Sequence, residues 1–346
     1  VQMTMRNNFS IDCESVSDSS ENDLLLVEKS VESNEKLPAV PTVSFLTSVV
    51  SCIVVTFCSV SMVLVNKAIS ADMTLEMRHQ LPDFAIVLYQ CLIAVVLVEF
   101  ARIFNIVEYP PFNFQTARSW LPVNILFVGM LCSGFISLVY VSVPMVTVFK
   151  NLSNLVTVFG DWYLFGEGVS WLTILAIVVM TIGAILSAMN DLEFNAYGYF
   201  WVFLNAMFTS MYILYMRFAT TNIKLPRFGM VYYNNLLSAM ILFPICLFRG
   251  EFNVINNDKI MTSTFIIYNS LAGIIGFYLN FASLWCVAST SATTYAIVGS
   301  LNKVPITVLG FVMFHAKMTS QGVIFVTMAT IGGFIYAYSK LPHHKN

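Results

Sequence analysis

From residue 41 onward this chain is a succession of apolar runs, each near the ~20 residues that a helix needs to cross a bilayer. They fall near 43–65, 84–105, 119–139, 143–165, 170–189, 197–217, 229–248, 263–286, 291–314 and 319–339, with short connections between them. Inside lipid each backbone amide must find its partner within its own segment, so runs of this length form helices. The pattern predicts an all-α, polytopic membrane protein of about ten transmembrane helices over residues 41–340. Composition agrees: 58% of residues are hydrophobic and 10% charged, where a soluble domain carries about 25% charged residues. A net charge of -2 gives no electrostatic case for nucleic acid.

Residues 1–40 are rich in Ser, Glu, Asp and Asn and lack periodicity, so they read as a disordered cytosolic tail, with 341–346 as a second short tail. The first tail is acidic and has no basic start followed by an apolar stretch, unlike a signal or transit peptide. Its stretch Glu21-Asn22-Asp23-Leu24-Leu25-Leu26 is similar to an acidic dileucine sorting signal; the plainer reading is solvated tail. Six of the seven cysteines lie inside the apolar runs without ligand spacing, which suits small core residues and not a disulfide frame or metal site. With the N-terminus in the cytosol, loop Lys and Arg divide ten against five in favour of the cytosolic side, which places both termini there.

Ten spans divide into repeats of five, about 41–190 and 191–340. The fourth span of each half carries a lysine within its apolar run (Lys150 and Lys303), and the last span of each carries Thr-Ile-Gly, ending at Gly183 and Gly332. An odd number of spans per repeat inverts the second copy, the arrangement of secondary transporters whose site lies near the midplane.

The two lysines demand a reason, because a charge at bilayer depth costs at least ~2.5–3.5 kcal/mol. Helical spacing sets Thr147, Asn154, Thr157 and Asp161 on the side of Lys150, and Ala296, Gly299, Ser300, Thr307 and Gly310 on the side of Lys303. One account is a buried pair, such as Lys150 with Asp161 or Glu99, or snorkelling to a headgroup. The other is two cations facing one cavity, poised for an anion such as a diphosphate. At the seventh span, Asn234 and Asn235 suit the acceptor and donors on the edge of guanine, or serve as glue between helices. In the eighth, Gly273, Gly276, Asn280 and Ser283 share a face; packing explains the glycines, and the polar pair is open to either reading. No Ser/His/Asp set, P-loop or carboxylate cluster is present in the sequence, so neither an enzyme nor a cofactor is expected.

Three elements carry a resemblance: Phe149-Lys150-Asn151-Leu152-Ser153, Tyr232-Tyr233-Asn234-Asn235 and Gly299-Ser300-Leu301-Asn302-Lys303. They resemble the FKNLT, FYNN and GALNK elements of nucleotide-sugar transporters of the drug/metabolite transporter superfamily, in the GDP-mannose branch, over roughly 43–340. The resemblance implies that Tyr233, Asn234 and Asn235 contact the guanine nucleotide. It implies that Gly299, Ser300, Asn302 and Lys303 meet the sugar and diphosphate, with Lys150, Asn151, Ser283 and Tyr295 also at the cavity. Ser300 in place of Ala, like Phe127-Val128-Gly129-Met130 and Asp191-Leu192-Glu193-Phe194-Asn195, resembles plant-type GDP-sugar carriers, so the sugar stays open. The implied activity is antiport of a GDP-sugar into the Golgi lumen against GMP. The partners are then these two nucleotides and membrane lipid, with a homodimer allowed. UDP-sugar carriers and phosphate or phosphoenolpyruvate translocators are related alternatives.

Overall fold

A computed structural model describes residues 45–71, 75–166, 168–223, 225–256, 260–290, 298–299 and 301–339. The expected tails at 1–40 and 341–346, the dileucine-like stretch, and residues 291–297 of the ninth run lie outside the described residues. The helices are α1 (Phe45–Ala71), α2 (Leu75–His79), α3 (Asp83–Ile103), α4 (Phe114–Tyr140), α5 (Val143–Phe149), α6 (Leu152–Phe165), α7 (Trp171–Met189), α8 (Ala196–Asn222), α9 (Arg227–Arg249), α10 (Ser263–Ser289), α11 (Lys303–Phe314) and α12 (Ser320–Ser339). A 3-10 turn follows α9 at Glu251–Asn256. Eight of these helices are long and apolar enough to cross a membrane, and the protein is an all-α, multi-pass membrane protein. Each of the eight falls on one of the ten expected runs; α5 with α6 covers the fourth, and α11 ends the ninth.

Helix limits follow local chemistry. The side chains of Asn113, Ser170, Asn195 and Thr262 each accept a hydrogen bond from a backbone N–H in the first turn of the helix that follows, which satisfies donors that the helix itself leaves unpaired. Gly166 and Gly250 end α6 and α9 at φ 68° and 67°, left-handed positions that a residue without a Cβ adopts freely.

One expectation needs correcting. The fourth run is not a continuous helix: between α5 and α6 the ladder tightens, with Asn151 N–H bonding Val148 O and Asn154 N–H bonding Asn151 O. The freed carbonyl of Lys150 takes the Ser153 hydroxyl at 2.7 Å. The ninth run also leaves the helix at Asn302, but there the backbone keeps four-residue bonds, from Asn302 N–H to Val298 O and from Ile306 N–H to Asn302 O. Short 3-10 stretches inside a helix often mark a hinge or a functional position, and the one at Asn151 coincides with a Lys–Asn neighbour pair.

The packing has the pattern that two five-span repeats would generate. α7 lies against α12, α4 against α8, α1 against α10, α3 against α9, and α5 against α11. Exchanging each helix for its counterpart five spans on turns α1–α10 into α8–α4, and α4–α9 into α10–α3, both of which are present. The finest detail is at α7 and α12. A Cβ on Gly183 would stand 2.8 Å from the backbone nitrogen of Ala329, and one on Gly332 would stand 2.7 Å from Cγ of Met180. Each glycine therefore faces the residue three positions before the other. Small residues let the two backbones approach, which is how helices associate in lipid. Gly183→Val or Gly332→Val is expected to cost ~1–3 kcal/mol by overpacking, read as a lower unfolding midpoint in detergent. The same change at Gly168, where a Cβ meets no atom within 4 Å, leaves the midpoint unmoved.

Candidate functional site

The residues drawn together at the crossing of α5, α11 and α12 are Lys150, Asn151, Asn302 and Lys303. α11 approaches α5 closely: a Cβ on Gly310 would sit 2.8 Å from Val143. Across that contact the Lys303 ammonium donates to Oδ1 of Asn151. Asn151 is 2% exposed; its Nδ2 donates to Ala329 O at 3.4 Å, and the missing side chain of Gly333 leaves room beside it. Lys150 is close enough for its charge to act on Lys303. Both lysines lie deep in the bundle but keep partial exposure, the combination expected of side chains that line an internal cavity.

The buried-pair account of Lys150 does not hold. Glu99 pairs with Arg102 at 3.5 Å. Asp161 is eleven residues on, about 16 Å along a helix and beyond ion-pair reach. Among the described residues, no carboxylate acts on either ammonium. The stripe expected beside Lys150 is also spent locally, since the hydroxyls of Thr147 and Thr157 donate to Val143 O and Ser153 O of their own helices. Two adjacent cations in a medium of low dielectric repel one another more strongly than in water. An anion between them removes that cost.

Beside this pair, Gly299 opens onto empty space: a Cβ built there meets no atom within 4 Å. Packing therefore does not require glycine at this position. Asn302, 3% exposed, has an Oδ1 with no hydrogen-bond partner. Tyr295 and Ser300 lie outside the described residues. Ser283 is half-buried on α10, and Asn280 donates to Gly276 O of the same helix.

The asparagine pair of α9 divides. Asn234 is held in a network between helices. Its Oδ1 accepts from Trp120 Nε1 at 2.8 Å, its Nδ2 donates to Tyr212 at 3.3 Å, and its carbonyl accepts from Asn124 at 2.7 Å. Tyr233, 1% exposed, accepts from the Asn113 N–H at 2.8 Å and stacks on Phe112, which fixes the start of α9 to the start of α4. Both side chains act as glue in this arrangement. Asn235 is tied only to its own turn through Nδ2 to Val231 O at 2.8 Å. Trp120 and Asn124, both 0% exposed, are the residues that reading by motif missed. Their spacing of four along the third run was the available signal.

This geometry can be set beside known proteins. The model of the Triose-phosphate Transporter family matches residues 41–337. The GDP-mannose transporter GONST2 of Arabidopsis thaliana is 34% identical over 291 residues, covering 82% of this chain and 76% of the relative. The GDP-mannose transporter GONST1 of the same plant is 32% identical, covering 82% and 86%. A GDP-mannose transporter of Aspergillus fumigatus is 31% identical over 280 residues, covering 75% and 72%. With the family's pattern running through every described span, and relatives matched over most of their own length, the chain belongs to the Triose-phosphate Transporter family, in the branch of the GDP-mannose transporters that it resembles.

Proposed function

We propose that this protein carries a GDP-sugar, GDP-mannose or a close analogue, into the Golgi lumen in exchange for GMP, with both termini in the cytosol. The observation that carries the reading is Lys303 held to Asn151, the chain neighbour of Lys150, where α5 and α11 meet, with no carboxylate acting on either lysine among the described residues. A diphosphate supplies the missing negative charge. The names of the relatives supply the class of ligand. GMP carries about -1.5 to -2 near neutral pH, close to the two charges of a GDP-sugar, so the exchange moves little net charge and needs no ion gradient.

In this reading Lys303 and Lys150 hold the phosphates, and Gly299 with Ser300 gives the sugar room against the ninth span. Asn302 adds an acceptor, and Tyr295 and Ser283 line the cavity. Base recognition falls on Asn235, because the amide of Asn234 is committed to Trp120 and Tyr212; Asn234 and Tyr233 hold the α9 entrance in place around it. By helix rise, Asn235 stands about 21 Å from the far end of α9 and Lys303 about 16 Å from the far end of α11. A nucleotide lying along the bundle axis spans that difference in depth. Alternating access follows if the two repeats rock about the α5–α11 crossing.

The test is uptake of labelled GMP into proteoliposomes preloaded with GMP, competed by GDP-mannose, GDP-fucose, UDP-galactose, UMP and triose phosphate. Competition restricted to guanine nucleotides is expected. Equal competition by UDP-galactose and UMP would remove the guanine role of Asn235, and competition by triose phosphate would move the chain to the phosphate-exchanging class. Lys303→Ala is expected to lower exchange by tenfold or more, a loss of at least ~1.4 kcal/mol, with its unfolding midpoint retained; normal exchange by this variant would end the phosphate assignment. Gly299→Leu separates site from scaffold. It is expected to keep the wild-type unfolding midpoint, because the position is open, and to lose exchange, whereas unimpaired exchange would place the sugar elsewhere.

A further inference from the structure

α1, α4, α7 and α11 all finish at one end of the bundle, and between their ends lies a pocket of about 560 Å³. That volume is in the range of small-molecule sites. Its polar lining comes chiefly from Lys67, Arg78, Tyr140, Ser142, Glu193 and Asn195. The mechanism proposed above uses none of them.

The two cations are held differently. The Lys67 ammonium donates to Leu138 O at 2.7 Å and Val141 O at 2.9 Å, carbonyls at the negative end of α4, where a cation is stabilised. Two of its three donors are thereby spent on the protein's own backbone. Arg78 is carried by α2, which Tyr140 pins from α4 by donating to Arg78 O at 3.2 Å. Its Nη2 reaches Ala71 O at 3.4 Å, and its Nε has no partner. A guanidinium has five donors, so Arg78 retains capacity for an oxyanion. Ser142, also in the lining, has a buried hydroxyl without a partner. Glu193 acts on Lys67, so among the described lining residues Arg78 is the cation left for an incoming anion.

Two of the elements that line the pocket lead to the central lysines. Ser142 is eight residues before Lys150 and His315 twelve after Lys303, about 12 Å and 18 Å by helix rise. α5 and α11, which cross at the lysine pair, both open onto it. We propose that this pocket is a second, outer station for a phosphomonoester, bound by the Arg78 guanidinium with the Ser142 hydroxyl as a further donor, where a nucleoside monophosphate pauses on the way to or from the lysine pair. The nucleotide identity rests on the function proposed above; the oxyanion site does not.

The experiment uses the purified full chain in zwitterionic detergent without anionic lipid, which removes lipid headgroups as a source of phosphate. Arg78 is modified with phenylglyoxal in the presence of GMP, inorganic phosphate or guanosine, and its modification is read by mass spectrometry of its peptide. GMP and phosphate are expected to protect Arg78, guanosine is not, and the protection is expected to persist in Lys303→Ala. Protection by guanosine equal to that by GMP, no protection at all, or protection lost in Lys303→Ala would each overturn the station. In proteoliposomes, Arg78→Gln is expected to raise the half-saturating GMP concentration about fivefold on the face that bears the pocket and to leave the opposite face unchanged, with Arg78→Lys recovering part of the loss. An unchanged value on both faces also overturns it. Phosphate protection in a protein that exchanges no guanine nucleotide would refute the proposed function and leave the oxyanion site standing.

Discussion

Two lysines buried in one region of a membrane-spanning bundle set the terms for the rest of this structure. Their cost in a medium of low dielectric is several kcal/mol per uncompensated ion, and among the described residues no carboxylate answers it. What the fold supplies instead is orientation. Asn151 accepts from Lys303 with its oxygen and donates to the α12 carbonyl of Ala329 with its nitrogen, so one amide joins three helices and aims one cation. The neutral dipole lowers the energy of the ammonium without cancelling its charge, so the attraction for an anion survives. Under the proposed function, a carboxylate at the same place would cancel the charge that the phosphates need.

The interrupted helices follow from that arrangement. A lysine on a regular span can be relieved by snorkelling to the headgroups, whereas a lysine at a tightened turn near the middle is set by its backbone. Ser153 spends its hydroxyl on the carbonyl of Lys150, and its own carbonyl accepts from Ser210 of α8. The interruption is thereby repaired with side chains, as backbone at membrane depth requires. The ninth run leaves the helix in the corresponding place at Asn302, and under the proposed function the contact of α5 with α11 is the axis about which one half moves against the other.

Much of this was legible in one dimension. Hydropathy placed the spans because desolvation of the backbone leaves a long apolar run no choice except helix. Lys150 and Lys303 stood out by cost alone, and Gly183 and Gly332 by their shared Thr-Ile-Gly context. The breaks at Lys150–Asn151 and at Asn302 were not legible, since apolar composition continues through both. Nor was the division of labour between Asn234 and Asn235. Adjacent asparagines look alike in a motif, but they point about 100° apart on a helix, and one turns to Trp120 on α4 while the other bonds back to Val231 in its own turn. Hydrogen-bond partnership depends on which helix lies opposite, information that the run itself does not hold.

That division bears on specificity. An interhelical network in which Asn234 joins Trp120, Asn124, Tyr212 and Ser238 fixes the rotation of α9 about its axis, and with it the direction of Asn235. Hydrogen-bond readout of a base tolerates little angular error, because a buried donor left without its partner costs ~1–3 kcal/mol. Under the proposed function the motif couples two roles that a single residue could not fill: one amide sets the helix rotation and is spent in doing so, and its neighbour is assigned to the base with that rotation already fixed. In that function, charge at Lys150 and Lys303 attracts a diphosphate of any nucleotide, and the rigid frame around Asn235 discriminates among bases.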